Sequence, residues 1–280
     1  MTSTDGAAGP RAYELDLSLR LTHGEDGTWQ GATSPGYGNR VGPYGGWIAA
    51  LLLKAILDRA PQGDPLALTV TFLGGCADGA LNGVTRLLRR SRTNEHWTAE
   101  FSDSTGAAVA HAVATFGVRR ATVPIGRIAP PAPAPAAEDV PERPQFGDRG
   151  PAFFNRYDVR QFVGLPFKKN PTAESRAWVK DADGRPLDWI SLAAHADAPV
   201  PRAFLVSGAP SGIATMSMST YFHATPEAFA EAGGGFILVD ADCRAGHDGF
   251  HDQTAVLWTA SGRLLATTEQ LVWYNLKPDA

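Results

Sequence analysis

Two stretches near the start of this 280-residue chain decide its fold: Gly42-Pro-Tyr-Gly-Gly-Trp-Ile-Ala-Ala-Leu-Leu-Leu53 and, shortly after it, Pro65-Leu-Ala-Leu-Thr-Val-Thr-Phe-Leu73. In the first stretch, large apolar side chains recur at helical spacing over residues 47–60, until Pro61 ends the segment. In the second, successive side chains alternate with a period of two, which is typical of a β-strand. The two stretches therefore predict a helix followed by a long strand.

The same order of elements occurs twice in the chain. The first half continues with strand-like runs at 81–92, 97–102 and 107–118. The second half has a helical candidate at 187–206, followed by strand-like runs at 215–223, 235–243, 254–259 and 263–274. Setting Gly106 against Gly262 and Phe72 against Phe222 brings the two sets into register. Extra strands are predicted at 176–179 and near 13–21. One long helix with an antiparallel sheet in each half indicates the α+β class.

A proline-rich segment separates the two halves. Eight of the 21 prolines lie between Pro124 and Pro151. Proline removes backbone donors and favours extended conformations, so this segment is predicted to be a semi-rigid spacer. The predicted boundaries are 1–122 for the first domain, 123–150 for the linker and 151–280 for the second domain.

Composition and charge exclude several classes of protein. With 25 basic and 29 acidic residues, the net charge of −4 argues against a basic surface that binds nucleic acid. The longest apolar run covers only residues 47–53, far short of the roughly 20 residues that a membrane span needs. No secretory signal is visible in the first residues, and two cysteines could form at most one disulfide. We therefore expect a cytoplasmic protein without membrane association.

The motifs, taken in order, resemble the acyl-CoA thioesterase II-like superfamily. The stretches beginning at Gly42 and Pro65 resemble its N-terminal hotdog domain. Three segments of the second half, residues 194–204, 214–223 and 260–270, are similar to the helix and strands of its C-terminal domain. The resemblance implies a double hotdog, two antiparallel sheets each wrapped around a long central helix, and hydrolysis of acyl-CoA or acyl-carrier thioesters.

The resemblance also implies a site made of Asp197, Thr215 and Gln270 around one water molecule. A carboxylate can take the proton of that water, or attack directly as a nucleophile, and the sequence leaves both open. Backbone N–H groups of Gly45 and Gly46, at a helix start, are candidates to bind the oxyanion. The repeat sets Ala114 against Gln270, so we expect one site per chain, located in the second half.

Other polar residues have less specific explanations. His195 is a tempting base, but it lies two residues from Asp197 and cannot share a helix face with it, which favours a structural role. His247 and His251 are predicted to lie in a hairpin and not in a metal site. We expect no metal, no cofactor and possible self-association. The alternative functions are another acyl reaction, such as dehydration or cyclisation, and acyl binding without catalysis.

Overall fold

The computed structural model describes residues 11–126, 128, 133–142, 150–166 and 168–277. The helices in these residues are α1 (Glu14–Ser18), α2 (Gly45–Leu57), α3 (Trp189–His195), α4 (Arg202–Ser207) and α5 (Pro226–Ala232). The strands of the first half are β1 (Thr22–His23), β2 (Thr28–Ala32), β3 (Gly38–Asn39), β4 (Gly42–Pro43), β5 (Asp64–Phe72), β6 (Ala80–Arg90), β7 (Asn94–Ser102) and β8 (Ala108–Gly117). Those of the second half are β9 (Tyr157–Val163), β10 (Ser175–Asp181), β11 (Gly212–Phe222), β12 (Ile237–Asp242), β13 (Gly246–His247), β14 (Phe250–Thr259) and β15 (Leu264–Asn275).

Strands from both halves form a single sheet. Twelve of them pair in the order β1-β2-β6-β7-β8-β5-β11-β15-β14-β12-β10-β9, and β13 adds to β14. Every pairing given for this sheet is antiparallel, and the halves join where β11 pairs with β5. The two predicted antiparallel sheets are therefore joined into one through a single pair of strands.

The seam between β5 and β11 follows the symmetry of the repeat. The alignment that sets Phe72 against Phe222 also sets Thr69 against Ser219, and these two residues lie directly opposite each other. Their hydroxyl oxygens are 3.0 Å apart. A residue that pairs with its own counterpart lies on a local two-fold axis, so the halves are related by approximate two-fold symmetry at this seam.

Helix α2 lies at the centre of the molecule. Its side chains are buried on nearly every face, and it packs against α3 and against strands β5, β7 and β8. The Tyr44 hydroxyl, just before the helix, donates to the carbonyl of Ala194 in α3 at 3.0 Å. A methyl group on Gly46 would lie only 2.3 Å from that same carbonyl oxygen. Glycine at this position therefore allows the helices of the two halves to approach closely.

The prediction of one long helix over 187–206 is wrong. The segment forms two short helices, α3 and α4, with an irregular turn between them. Pro199 and Pro201 lie in that turn; each lacks a backbone N–H and disfavours helical geometry in the residue before it. Asp188 caps the start of α3 by accepting from the N–H groups of Ile190 and Ser191. Among the residues that the structure describes, a long helix is therefore present only in the first half.

The extra strand predicted near residues 13–21 is also wrong, because the structure has helix α1 there. Leu15 and Leu19 are each 1% exposed and stand four residues apart, which is the spacing of one helix face. The strand predicted at 176–179 is present as β10. Strands β2 and β9 and helix α5 were not predicted.

Part of the proline-rich segment packs against the second half of the sheet. Val140 joins a small buried cluster with Trp178, Leu238 and Trp258. The indole Nε1 of Trp178 donates to the carbonyl of Pro135 at 2.9 Å. The segment is thus packed against the sheet on one side. Much of the predicted linker lies outside the described residues. The N-terminal residues, in which no secretory signal is predicted, also lie outside them.

Candidate active site

A cavity of about 140 Å³ opens between the turn that joins α3 to α4 and the inner face of strands β11, β14 and β15. Its wall is mostly apolar. The polar residues that line it are Asn39, Asp197, Thr215, Gln253 and Gln270, and the aromatic ones are Tyr44, Phe153, Phe154 and Phe204. The three residues proposed from the sequence for catalysis, Asp197, Thr215 and Gln270, thus lie on one cavity wall.

Asp197 lies just beyond the C-terminal end of α3. Its Oδ1 accepts a hydrogen bond from Gln270 Nε2 at 2.9 Å, and its carboxylate also accepts from the backbone N–H of Gly46. Gln270 Oε1 in turn accepts from Thr215 Oγ1 at 3.3 Å. The three side chains form a hydrogen-bonded chain in which Asp197 is the terminal acceptor.

Burial controls the acidity of Asp197. The residue lies deep among protein atoms, although it keeps access to the cavity that it lines. Desolvation raises the pKa of its carboxyl from 3.8 to about 7, and the hydrogen bonds from Gln270 and Gly46 counteract part of that increase. A carboxyl group with this pKa can exchange a proton near neutral pH, which suits a general base.

A β-bulge places Thr215 on the cavity wall. The register of β11 against β15 shifts between Thr215 and Ser217. Residues 215 and 218 of a regular strand would face opposite sides, yet Thr215 lines the cavity and buried Met218 touches the Gln270 amide. The bulge changes the direction of the side chains that precede it, which brings the Thr215 hydroxyl to Gln270.

The paired glycines at the start of α2 sit against the carboxylate. A methyl group on Gly45 would lie 2.8 Å from Asp197 Oδ2, and the N–H of Gly46 donates to the same carboxylate. The positive end of a helix dipole therefore faces Asp197. In this structure the N–H of Gly46 donates to the Asp197 carboxylate. The same N–H was predicted to bind the oxyanion, and it cannot fully serve both acceptors at once.

His195 makes its contacts away from the Asp197–Gln270–Thr215 chain. Its side chain is buried, and Nε2 lies 3.1 Å from Asp181 Oδ2. The imidazole ring also stands at a steep angle to the Tyr157 ring, with centroids 5.2 Å apart. These contacts give His195 the structural position that the sequence predicted.

Sequence reasoning missed the remaining cavity residues. Gln253 stands opposite Gln270 in the β14–β15 pair and lines the cavity. It is on the same face of β14 as the buried residues His251 and Ala255, and this period of two could have indicated it in the sequence. Phe153 follows the proline-rich segment and stacks on Tyr44, with ring centroids 4.2 Å apart. No sequence pattern near these aromatic residues indicates that they meet, because the contact joins distant parts of the chain.

The described residues contain no group of three or more His, Cys, Asp or Glu side chains placed to hold a metal ion. No helix among them is long and apolar enough to cross a membrane. His247 and His251 lie in the predicted hairpin, where β13 pairs with β14.

Comparison with family models gives two matches. Residues 33–117 match the model of the acyl-CoA thioesterase N-terminal domain, and residues 133–274 match that of the acyl-CoA thioesterase C-terminal domain. Together the two matches cover most of the chain. A comparison with curated proteins finds no match.

Comparison with solved structures gives many matches along nearly the whole chain. A conserved hot dog fold protein of unknown function from Alicyclobacillus acidocaldarius is 31% identical, with a TM-score of 0.89 over 96% of this chain and 100% of that one. A structure described as a candidate thioesterase II from Thermobifida fusca YX is 20% identical (TM-score 0.79, 94% and 98% covered). The acyl-CoA thioesterase II TesB2 from Mycobacterium marinum is 17% identical (TM-score 0.72, 95% and 100% covered). The fold common to these proteins is the hotdog fold.

Proposed function

Since the chain belongs to the acyl-CoA thioesterase family and is therefore a thioesterase hydrolase, we propose that it cleaves acyl-CoA thioesters at the Asp197–Gln270–Thr215 chain. The observation that carries this assignment is the environment of Asp197. A carboxylate with a pKa near 7, hydrogen-bonded to an amide and lining an apolar cavity, has the properties of a general base that activates a water molecule. An acyl-carrier thioester would present the same reacting group.

The proposed reaction needs one water molecule and one proton relay. Water attacks the thioester carbon while Asp197 takes a proton from it, and Gln270 and Thr215 orient the reacting groups. Backbone N–H groups of α2 stabilise the oxyanion; Gly45 is the better candidate, because the Gly46 N–H already contacts Asp197. The tetrahedral intermediate then expels the thiolate, which takes the proton from Asp197.

Direct attack by Asp197 is the second form of this mechanism. The carboxylate would form an anhydride with the acyl group and release the thiolate, and water would then hydrolyse the anhydride. A single turnover in ¹⁸O-water demonstrates nucleophilic attack if label enters Asp197, which requires water to attack the aspartyl carbonyl of the anhydride. Attack at the acyl carbonyl labels only the product acid, as the base mechanism does, so trapping of the anhydride with hydroxylamine completes the distinction.

Other acyl chemistry on this fold is less well supported. A dehydration or cyclisation would be favoured if His195 faced the cavity, but His195 pairs with Asp181 and Asp197 takes the cavity position. Acyl binding without catalysis would leave a buried carboxylate of raised pKa without a role. These contacts favour hydrolysis over both alternatives.

Release of free thiol from a panel of acyl-CoAs tests the proposal. Asp197→Asn keeps the size of the side chain and removes the base, so kcat should fall by at least about a hundredfold while KM changes little. Thr69→Ser, at the seam between the halves, is a control that should retain activity. Near-normal turnover in Asp197→Asn would exclude Asp197 as base and as nucleophile.

We also propose that the chain is a double hotdog with domain limits at 1–122 and 151–280, and that it is located in the cytoplasm. We propose that its activity needs no metal or cofactor. Activity that is unchanged by a chelator at constant pH would support the absence of a metal requirement. Self-association is supported by Tyr221, Leu271 and Trp273, which are exposed on strands β11 and β15. Light scattering on the purified chain would measure it.

A further inference from the structure

Gln253 is a cavity residue that the hydrolysis just described does not use. It stands opposite Gln270 on the neighbouring strand, and only 3% of its surface is exposed. Side chains at directly opposite positions of an antiparallel pair have Cβ atoms about 5 Å apart. A polar group at Gln253 therefore lies close to the proposed reacting centre without taking part in its hydrogen-bonded chain.

A buried arginine fixes the orientation of this amide. Arg202, which is 1% exposed, donates from Nε to Gln253 Oε1 at 3.0 Å. Its remaining hydrogen bonds go to Ser175 Oγ and to the carbonyl oxygens of Ala173, Val200 and Ala241. Because a guanidinium group only donates, the oxygen of the Gln253 amide must face Arg202. The NH₂ end of the amide must then point away from Arg202.

The NH₂ group has no hydrogen-bond partner among the residues that the structure describes, and Gln253 lines the cavity. Its nitrogen is not one of the fully enclosed polar atoms without a partner, so the NH₂ group is open to the cavity. Arg202 is held by five hydrogen bonds. The one to Gln253 Oε1 fixes the direction in which the NH₂ group of Gln253 points. An acceptor atom of a ligand in the cavity would complete the hydrogen bonding of Gln253.

We propose that Gln253, positioned by Arg202, selects short acyl thioesters that carry an oxygen on C3, with 3-oxoacyl groups as the substrate class. This inference rests on the proposed thioester hydrolysis. The cavity of about 140 Å³ has about the size that accommodates benzene, which limits the acyl group to a few carbons. An oxygen on C3 lies three bonds from the thioester carbon, within reach of a donor on the strand next to Gln270.

The test compares two substrates of equal chain length, 3-oxobutanoyl-CoA and butanoyl-CoA. The measured quantity is the ratio of their kcat/KM values, because a general effect on Asp197 changes both values and cancels. The wild-type chain should prefer the 3-oxo substrate by at least about tenfold, which corresponds to one buried hydrogen bond.

Two variants remove the donor in different ways. Gln253→Glu keeps an oxygen for Arg202 and places a second oxygen, an acceptor, toward the cavity, so the preference for the 3-oxo substrate should be lost or reversed. Gln253→Met removes the donor without adding charge and should lower the ratio about tenfold from its wild-type value, to the level set by the intrinsic reactivities of the two thioesters. Arg202→Lys should reduce the ratio partway, because the amide is then less firmly held, and thermal melting establishes which variants are folded. An unchanged ratio in both Gln253 variants would overturn the inference.

Binding separates this inference from the proposed function. Non-hydrolysable thioether analogues of the two substrates are titrated into the wild-type chain and into Gln253→Glu. Tighter wild-type binding of the 3-oxo analogue, lost in the variant, supports the role of Gln253 even if no thioester is cleaved. Hydrolysis of both thioesters without any preference would support the proposed function and refute the inference.

Discussion

Asp197 combines a stability cost with a chemical use. Its carboxyl is desolvated by the surrounding core, and the hydrogen bonds from Gln270 and Gly46 return only part of the lost hydration. The same environment brings the pKa to about 7, where the ionised form is both available and basic enough to accept a proton. Activity and stability should therefore respond to pH in opposite directions.

The activity profile should depend on the state of Asp197. In the wild-type chain kcat/KM should rise with pH through an apparent pKa near 7. Gln270→Ala removes a hydrogen bond that lowers this pKa, so the rising limb should move to higher pH and kcat should fall less than in Asp197→Asn. Thr215→Val, which contacts Gln270 but not Asp197, is the matched control and should shift the limb less. Identical limbs in wild type and Gln270→Ala would contradict this electrostatic assignment.

Stability should change in the opposite sense. The folded state holds the Asp197 proton more tightly than the unfolded chain, whose carboxyl has an ordinary pKa of 3.8. The resulting stabilisation is complete below about pH 4 and is lost as the pH rises through about 7. Asp197→Asn lacks this dependence, so its Tm relative to wild type should increase between pH 5 and pH 8. A Tm difference independent of pH in this range would argue against a buried, titrating Asp197.

At the scale of elements, the site depends on two local irregularities. The prolines after Asp197 end helix α3 and let the chain turn toward the sheet, and the bulge in β11 turns Thr215 toward Gln270. The start of α2 completes the site by bringing Gly45 and Gly46 against the carboxylate. Asp197 and Thr215, two of the three proposed catalytic groups, are thus placed where a regular element ends or is interrupted, whereas Gln270 lies within strand β15.

Gly45 tests how closely α2 must approach Asp197. In Gly45→Ala the new methyl group would lie 2.8 Å from Asp197 Oδ2 and 3.4 Å from the Phe72 ring, so the carboxylate must move. We expect kcat to fall about tenfold or more, because small misplacements of reacting groups are costly, with little change in Tm. Gly74→Ala, whose methyl group would meet nothing closer than 3.9 Å, is the control. Equal activity of the two variants would show that this approach is not critical.

At the scale of the whole molecule, the two halves have the same framework but different chemistry. Both contain the bulge, between Pro65 and Ala67 in β5 and between Thr215 and Ser217 in β11. In the first half, however, Ala114 takes the position of Gln270, and Trp97, which lies opposite Ala114, takes that of Gln253. A buried indole therefore occupies space that remains open in the second half.

The asymmetry predicts a single binding site in each chain. Calorimetric titration with a non-hydrolysable acyl-CoA thioether should give one ligand bound per chain. The first half has Ala114 and Pro65 at the positions that match Gln270 and Thr215, so no second activity should mask the loss of kcat in Asp197→Asn. Two equivalent sites, or residual turnover that responds to substitution of Trp97, would contradict the prediction.

The sequence by itself determined the features that local patterns encode. Helical spacing indicated α2, alternation indicated the long strands, and the repeat established their order, because these patterns separate solvent-facing from core-facing side chains. The resemblance supplied Asp197, Thr215 and Gln270 as candidates for the site. The break in the second helix was also encoded locally by two prolines, although the predicted helix ran through them.

How these groups meet depends on the packing of the whole chain. Three contacts join segments that are distant in sequence: the hydrogen bond from Gly46 to Asp197, the stacking of Phe153 on Tyr44, and the hydrogen bond from Arg202 to Gln253. The pKa of Asp197 is likewise set by the atoms packed around it and not by its neighbours in the chain. Periodicity records which face of an element is buried, whereas the partner of a buried group depends on strand register, bulges and helix approach, which arise only when the whole chain packs.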